Sequence, residues 1–364
     1  MKIANITMHA INNYGSVLQT LATEKIFQDL GYEVITIDYI RETAQLNSVW
    51  KILKNGGPSW ILKCKQIIFF LFFKSKKHSE KFEIFRKKHL HLTPIKYLSD
   101  KDLYSNPPIA DIYCTGSDQT WNVECQGGIP YAYFLDFVPI GKKKIAFSAS
   151  FGIDSIQDKY KKEIKKLLSK YSAISVRENQ GTTIVKELGL DATQVLDPTL
   201  VVEKDFWEKL ASKRLINDDY IFIYQLNSNT KFEEYAYKYS LKKNIKLVYC
   251  KGRKCNSYKN AIHYKSPTPE EFLSLIKYSK LTITDSFHAT VFCLLLHTDF
   301  IDIFPHLYSN RLYSILKLTN LESRQVVDFN DFEKFNEHIN FNYTDKIIEK
   351  ERNNTLSFLK NALR

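Results

Sequence analysis

Residues 2–40 read KIANITMHAINNYGSVLQTLATEKIFQDLGYEVITIDYI, and this stretch decides the fold. Lys2–Thr7 is a short apolar run of strand length. From Val17 to Leu30 the apolar residues at 18, 22, 26 and 30 recur at helical spacing and line one face. Gly31 supplies a helix stop, and Glu33–Ile40 is rich in β-branched residues, the mark of a second strand. A strand, a helix and a strand in so short a span open a parallel α/β sheet.

The alternation continues along the chain. Strands are expected at 109–114, 143–149, 172–176, 193–196, 219–225, 245–250, 281–284 and 299–303. Helical patterns fill 156–170, 178–188, 229–241, 268–279 and 288–297. This order predicts an α/β protein of two Rossmann-like domains whose parallel sheets face a central cleft. At 364 residues the chain is long enough for two domains. Asp197-Pro198 follows a strand and reads as the joint. The expected division is residues 1–198, with a basic helical insertion at about 41–95, then 199–344. A final helix at 345–364 would pack back on the first domain.

Composition narrows the partners. Hydrophobic residues make up 44% and charged residues 25%, an ordinary globular balance. The net charge of +12 suits anionic partners. No nucleic-acid motif accompanies it, so no nucleic acid is expected. Between Lys51 and His91 only Glu80 and Glu83 oppose a dense run of Lys and Arg. Within it, Ile67–Phe73 is apolar and framed by Lys63, Lys65, Lys74, Lys76 and Lys77. That pattern fits contact with an anionic membrane surface and equally a packed helix with solvated lysines. The N-terminus carries no secretory apolar stretch, and the six cysteines form no CxxC pair. A reduced cytoplasmic protein is expected, peripheral on the inner face of the plasma membrane if the basic segment engages lipid. Neither a metal nor a cofactor is compelled by the sequence.

The polar residues at strand ends are the candidate site, because ligands of open parallel sheets bind beyond the carboxyl ends of the strands. Asn13 and Gly15 follow the first strand and precede a helix whose free N–H groups suit an anion; Gly15 would allow close approach. Ser117, Asp118, Gln119, Trp121 and Asn122 form a denser polar cluster than a turn needs. There Asp118 suits taking a proton from a sugar hydroxyl, and Trp121 a stacking face. Arg177 directly follows a strand, and its guanidinium forks onto carboxylate or phosphate. Asp285, Ser286 and His288 open an apolar helix: Ser286 is its expected N-cap and His288 stands in its first turn, a position suited to a general acid. Arg253 and Arg311 are further cations.

These motifs resemble a known family. Asn13-Tyr-Gly-Ser-Val-Leu-Gln19, Gly116-Ser-Asp-Gln-Thr-Trp-Asn122, Ser148-Ala-Ser-Phe-Gly152, Ser175-Val-Arg-Glu178, Leu196-Asp-Pro-Thr-Leu200 and Thr284-Asp-Ser-Phe-His288 occur in the order found in polysaccharide pyruvyl transferases. The resemblance implies an architecture similar to B-type glycosyltransferases, with phosphoenolpyruvate as donor substrate in the cleft and a sugar or lipid-linked oligosaccharide as acceptor. It implies a product that is a cyclic ketal of an exopolysaccharide or capsule. Arg177 and His288 match the family's donor positions. Ser286 stands where many members carry Arg, so Arg253 or Arg311 is expected to supply the missing cation. On this reading His288 is the general acid, Arg177 the donor clamp and Asp118 the base that orients a hydroxyl.

Two other readings compete. A nucleotide-sugar glycosyltransferase of the same fold often carries a Glu-x7-Glu pair, which residues 265–300 lack. A non-enzymatic membrane-surface or nucleic-acid module built on residues 51–91 leaves the strand-end clusters without a role.

Overall fold

The computed structural model describes residues 1–41, 76–250, 258, 261–305, 309–333 and 335–364. The apolar patch Ile67–Phe73, with Lys63, Lys65 and Lys74, lies outside them, as do Arg253, most of the predicted insertion and the side chains of Lys76 and Lys77.

The first sheet is built from β1 (Lys2–Ile6), β2 (Glu33–Thr36), β3 (Ile112–Thr115), β4 (Lys143–Ala149), β5 (Ala173–Val176) and β6 (Thr193–Gln194). Its helices are α1 (Tyr14–Asp29), α2 (Lys76–His89), α3 (Asp100–Ser105), α4 (Val123–Gln126), α5 (Asp158–Leu168) and α6 (Asn179–Glu187). The strand order is β2-β1-β3-β4-β5-β6, all parallel. The chain then passes through α7 (Pro198–Val201) and α8 (Lys204–Leu210) to the second unit. This holds β7 (Tyr220–Tyr224), α9 (Thr230–Lys243), β8 (Lys246–Tyr249), β9 (Ile262–His263), α10 (Pro269–Lys277), β10 (Leu281–Thr284), α11 (Phe287–Leu296), β11 (Phe300–Asp302) and α12 (Asn310–Leu318). Its parallel order is β11-β10-β7-β8-β9, and α13 (Phe341–Leu363) closes the chain.

Local causes are visible at each end of α1. Asn13 caps it by accepting from Gly15 N at 2.9 Å, and Gly31 leaves it at φ +85°. Leu18, Ala22 and Ile26 are buried as the spacing predicts, but so are Gln19, Thr20, Thr23 and Glu24 on the other faces. The helix is covered all round because the first sheet lies on one side and the second unit on the other. α11 is the second such element: all of its ten residues are buried. A helix apolar on every face belongs in a core, and burying each large side chain contributes about 1.5–3 kcal/mol. One apolar cluster runs from Ile3, Val17 and Leu18 through Trp207 and Phe272 to Phe292 and Leu359, so both sheets share it.

Some boundaries differ from expectation. β2 ends at Thr36 rather than Ile40: Thr36 itself bridges to Leu92, and beyond it only Tyr39 makes an isolated bridge, to Tyr97. β9 is a two-residue edge strand with no sequence signal of its own. α13 lies on the first sheet's side: Leu196 N donates to Thr355 Oγ1 at 3.1 Å, and Arg352 Nε donates to Leu200 O at 3.2 Å. No described helix is long and apolar enough to cross a membrane.

Candidate active site in the interdomain cleft

Topology opens two crevices. From β1 the chain goes outward to β2 and then returns past β1 to β3, so the loops after β1 and β3 diverge at their carboxyl ends. The loops after β7 and β10 diverge likewise. In that second crevice Asp285 is consumed by structure. Its Oδ1 accepts from Leu226 N at 2.6 Å, and its Oδ2 from Asn227 N and Nδ2 at 2.8 and 3.0 Å. Burial raises its carboxyl above the ordinary value despite these bonds. The expected substrate-binding role for Asp285 is corrected to that of a tie between loops.

The chemistry concentrates where α11 meets the ends of β5 and β6. Arg177 follows β5, Asp197 follows β6 as the N-cap of α7, and His288 is the second residue of α11. Arg177 Nη1 lies 2.7 Å from Asp197 Oδ2 and 3.3 Å from Ser117 Oγ, which itself donates to Asp197 Oδ2 at 3.0 Å. His288 Nε2 faces the same Oδ2 at 3.7 Å. Thr199 N and Oγ1 donate to the other oxygen of Asp197 at 3.0 and 2.6 Å. Burial alone would raise the Asp197 carboxyl, but His288, Arg177 and Thr199 hold it well below the usual carboxylate range. Burial also opposes the Arg177 charge, and Asp197, Asp118 and Glu178 outweigh it, leaving the guanidinium above its ordinary value.

Several nitrogens here lack a hydrogen bond, two of them with a carboxylate oxygen just beyond bonding distance: His288 Nε2 at 3.7 Å from Asp197 Oδ2 and Arg177 Nε at 4.0 Å from Glu178 Oε2. Arg177 Nε and Nη2, His288 Nε2 and Arg311 Nε are all buried and make no hydrogen bond to the described residues. Buried donors in native proteins are almost always paired, so these nitrogens mark a candidate ligand site. A cavity of ≈ 170 Å³ opens beside them, lined by Arg177, Glu178, Asp197, Phe287, Arg311 and Ser314 among others. The Phe287 ring lies 4.8 Å from the Arg177 guanidinium and fixes its plane. His288 is not among the residues that line this cavity; it approaches the shared oxygen of Asp197, which does line it.

Asp118 borders the cluster. It sits at φ +85°, a region few residues other than Gly, Asn and Asp adopt. Its Oδ2 accepts from Ser16 Oγ at 2.7 Å and its Oδ1 from Gln119 N at 2.8 Å. Burial works to raise its carboxyl, yet Arg177, His288, Ser16 and Arg311 keep it below its ordinary value. It is an ionised acceptor, well suited to orienting a hydroxyl and poor at removing a proton. Glu178, next to Arg177, spends Oε1 on Ser150 Oγ, Phe151 N and Gly152 N at 2.9–3.2 Å.

Other expectations are corrected. Trp121 has 0% exposure, stacks on Phe134 at 5.4 Å and donates to Tyr133 O at 3.2 Å, so it cannot offer a face to a sugar. Asn122 is buried and caps α4, accepting from Glu124 N and Cys125 N at 3.1 and 2.9 Å. Asn13 caps α1, and Gln119 is half-buried against Gly152. Gly15 does allow a close approach, but of His288: a Cβ at position 15 would stand 2.0 Å from His288 Nδ1. Ser286 caps α11 as expected, accepting from Ala289 N at 3.5 Å. His9 is buried, with Nε2 3.1 Å from Asp38 Oδ1 and Nδ1 3.4 Å from Thr7 O. Asp197 was the residue missed by sequence reasoning. Its strand-end position was visible, but Pro198 marked it as a mere joint. No group of three or more His, Cys, Asp or Glu among the described residues is arranged to hold a metal.

Two Rossmann-like domains with strand ends facing one cleft define the fold of B-type glycosyltransferases and sugar epimerases. The UDP-GlcNAc 2-epimerase from Neisseria meningitidis, solved with UDP-GlcNAc, aligns with 100% of this chain and 99% of its own at TM-score 0.53 and 10% identity. The UDP-GlcNAc 2-epimerase from Methanocaldococcus jannaschii aligns with 96% of this chain and 99% of its own at TM-score 0.50 and 11% identity. Such low identities speak for the fold alone. No curated protein sequence matches the chain. Residues 13–306 match the polysaccharide pyruvyl transferase family, and the chain belongs to it.

Proposed function

We propose that the pyruvyl donor is phosphoenolpyruvate and that the acceptor is a sugar of a surface polysaccharide or its lipid-linked precursor, which leaves as a cyclic ketal. The observation that carries this is the pair of arginines, Arg177 and Arg311, whose buried nitrogens without hydrogen bonds line one small cavity, with His288 reaching the same Asp197 oxygen as Arg177. A phosphate and a carboxylate on a compact skeleton need such partners, because desolvating those charges unpaired is prohibitive.

The chemistry follows from the groups present. Arg177 orients the donor through Nε and Nη2, the two nitrogens that Asp197 leaves free. His288, as the imidazolium, donates its Nε2 proton to the methylene carbon, and positive charge develops at C2 of the enol phosphate. A sugar hydroxyl oriented by Asp118 attacks C2 and returns its proton to His288. The C2–O bond to phosphate breaks, a second hydroxyl closes the ketal, and its proton leaves with the phosphate. The carboxylates of Asp197 and Asp118 face this positive charge in a water-poor site, where electrostatic stabilisation is strongest.

The test is mass spectrometry on oligosaccharide acceptors incubated with the protein and phosphoenolpyruvate, with released phosphate measured in parallel. The acceptor should gain one pyruvic acid less one water per phosphate released. Because the Neisseria meningitidis epimerase was solved with UDP-GlcNAc, UDP- and GDP-sugars serve as the counter-probe in thermal-shift assays. A shift with these and none with phosphoenolpyruvate would replace the proposal with a nucleotide-sugar reading.

A further inference from the structure

Charge pairing distinguishes the two arginines of the cleft. Arg177 is already neutralised: its Nη1 lies 2.7 Å from Asp197 Oδ2 and its Nε 4.0 Å from Glu178 Oε2. Among the described residues Arg311 has no comparable carboxylate, and its buried Nε makes no hydrogen bond. Burial and then the facing Arg177 hold the Arg311 charge below its ordinary value, although Asp118, Glu178 and Asp197 act in its favour. A partly buried cation without a directly paired counter-ion carries a desolvation cost, and an anion in the shared cavity relieves it.

Arg311 arrives from the other domain. It stands in the first turn of α12, which packs on α11 but is pinned across the cleft at two points. Asn310 Nδ2 donates to Asp154 Oδ1, and Gln194 Nε2 donates to Ser314 Oγ at 3.4 Å. Position 311 lies between these pins, so the side chain is held over the cavity that Arg177 lines from the first domain.

We infer that Arg311 supplies the positive charge of the site that no described carboxylate pairs directly, and selects the donor by its negative charge, while Arg177 supplies directed N–H groups. This rests on the phosphoenolpyruvate reading and deepens it. A residue acting by charge is replaceable by lysine, whereas one acting through a planar fork is not.

Titration calorimetry on the full chain separates these roles, with phosphoenolpyruvate and inorganic phosphate as two probes. Arg311→Lys should bind phosphoenolpyruvate within about threefold of the unsubstituted protein, and Arg311→Gln about tenfold or more weaker. Arg177→Lys should also lose about tenfold, despite keeping its charge. Added salt should weaken binding less in Arg311→Gln than in the unsubstituted protein. Equal cooperative melting of the Lys and Gln variants keeps the comparison one of folded proteins. Arg311→Gln binding like the unsubstituted protein, or Arg311→Lys binding as weakly as Arg311→Gln, would overturn the assignment. Failure of phosphoenolpyruvate alone, with phosphate keeping the same order of variants, would sink the donor reading and leave the charge assignment standing. Failure of both anions on the unsubstituted protein would sink both.

Discussion

Arg177 Nη1 and His288 Nε2 meet one atom, Asp197 Oδ2, at 2.7 and 3.7 Å, although the first follows a strand of one sheet and the second begins a helix of the other domain. Asp197 is therefore the mechanical link that sets the spacing between the guanidinium and the imidazole. Its own position is fixed by Thr199 and by capping α7.

Asp197→Asn should destabilise the fold by about 3–5 kcal/mol, since it leaves a buried guanidinium uncompensated. The carboxyl is depressed in the folded chain, so its contribution is full above the ordinary value of 3.8 and is lost as pH falls below it. Unfolding midpoints of the two proteins should lie far apart at pH 7 and converge in acid. A constant gap down to pH 3 would contradict the depressed carboxyl.

Gly15→Ala places a Cβ 2.0 Å from His288 Nδ1. α1 cannot yield easily, because Tyr14 stacks on Phe272 at 4.3 Å and donates to Pro267 O at 2.8 Å. The imidazole must move instead. A displacement near 1 Å costs about 100-fold in turnover, so kcat should fall by that order while the melting temperature moves little. Steady-state kinetics alongside a melting curve checks both.

His288→Ala should lower turnover about 100-fold or more while phosphoenolpyruvate binding, held by the arginines, changes by less than about tenfold. Phosphate release at the unsubstituted rate would remove His288 from the mechanism.

Trp121→Ala should cost about 3–5 kcal/mol of stability, as expected for emptying a core site, because the ring is enclosed by Phe134, Phe151 and Tyr171. Trp121→Phe, which keeps much of the packing, should leave the acceptor KM unchanged. A raised acceptor KM in Trp121→Phe would restore the sugar-stacking role.

The fold class was legible because periodicity is local: β1, α1 and the strands that follow each announce themselves within a few residues. β9 did not, since two residues at a sheet edge carry no period. Within the candidate site, strand-end logic singled out Arg177, Asp118 and His288, which the structure brings together beside Asp197. It assigned Trp121 and Asn122 wrongly, because a polar cluster after β3 looks the same whether its side chains point into the cleft or cap and pack the next helix. Gly15 shows the other limit. Its smallness was readable, but the group requiring it belongs to α11, far along the chain, and no local pattern specifies a contact between domains.

A crystal structure grown with phosphoenolpyruvate tests the central claim most directly. Donor oxygens should lie about 2.7–3.2 Å from Arg177 Nη2 and Arg311 Nε, with the methylene carbon turned toward His288 Nε2. Phosphoenolpyruvate bound instead in the crevice beside Asn227 and Asp285, with the Arg177 and Arg311 nitrogens still unpaired, would contradict it.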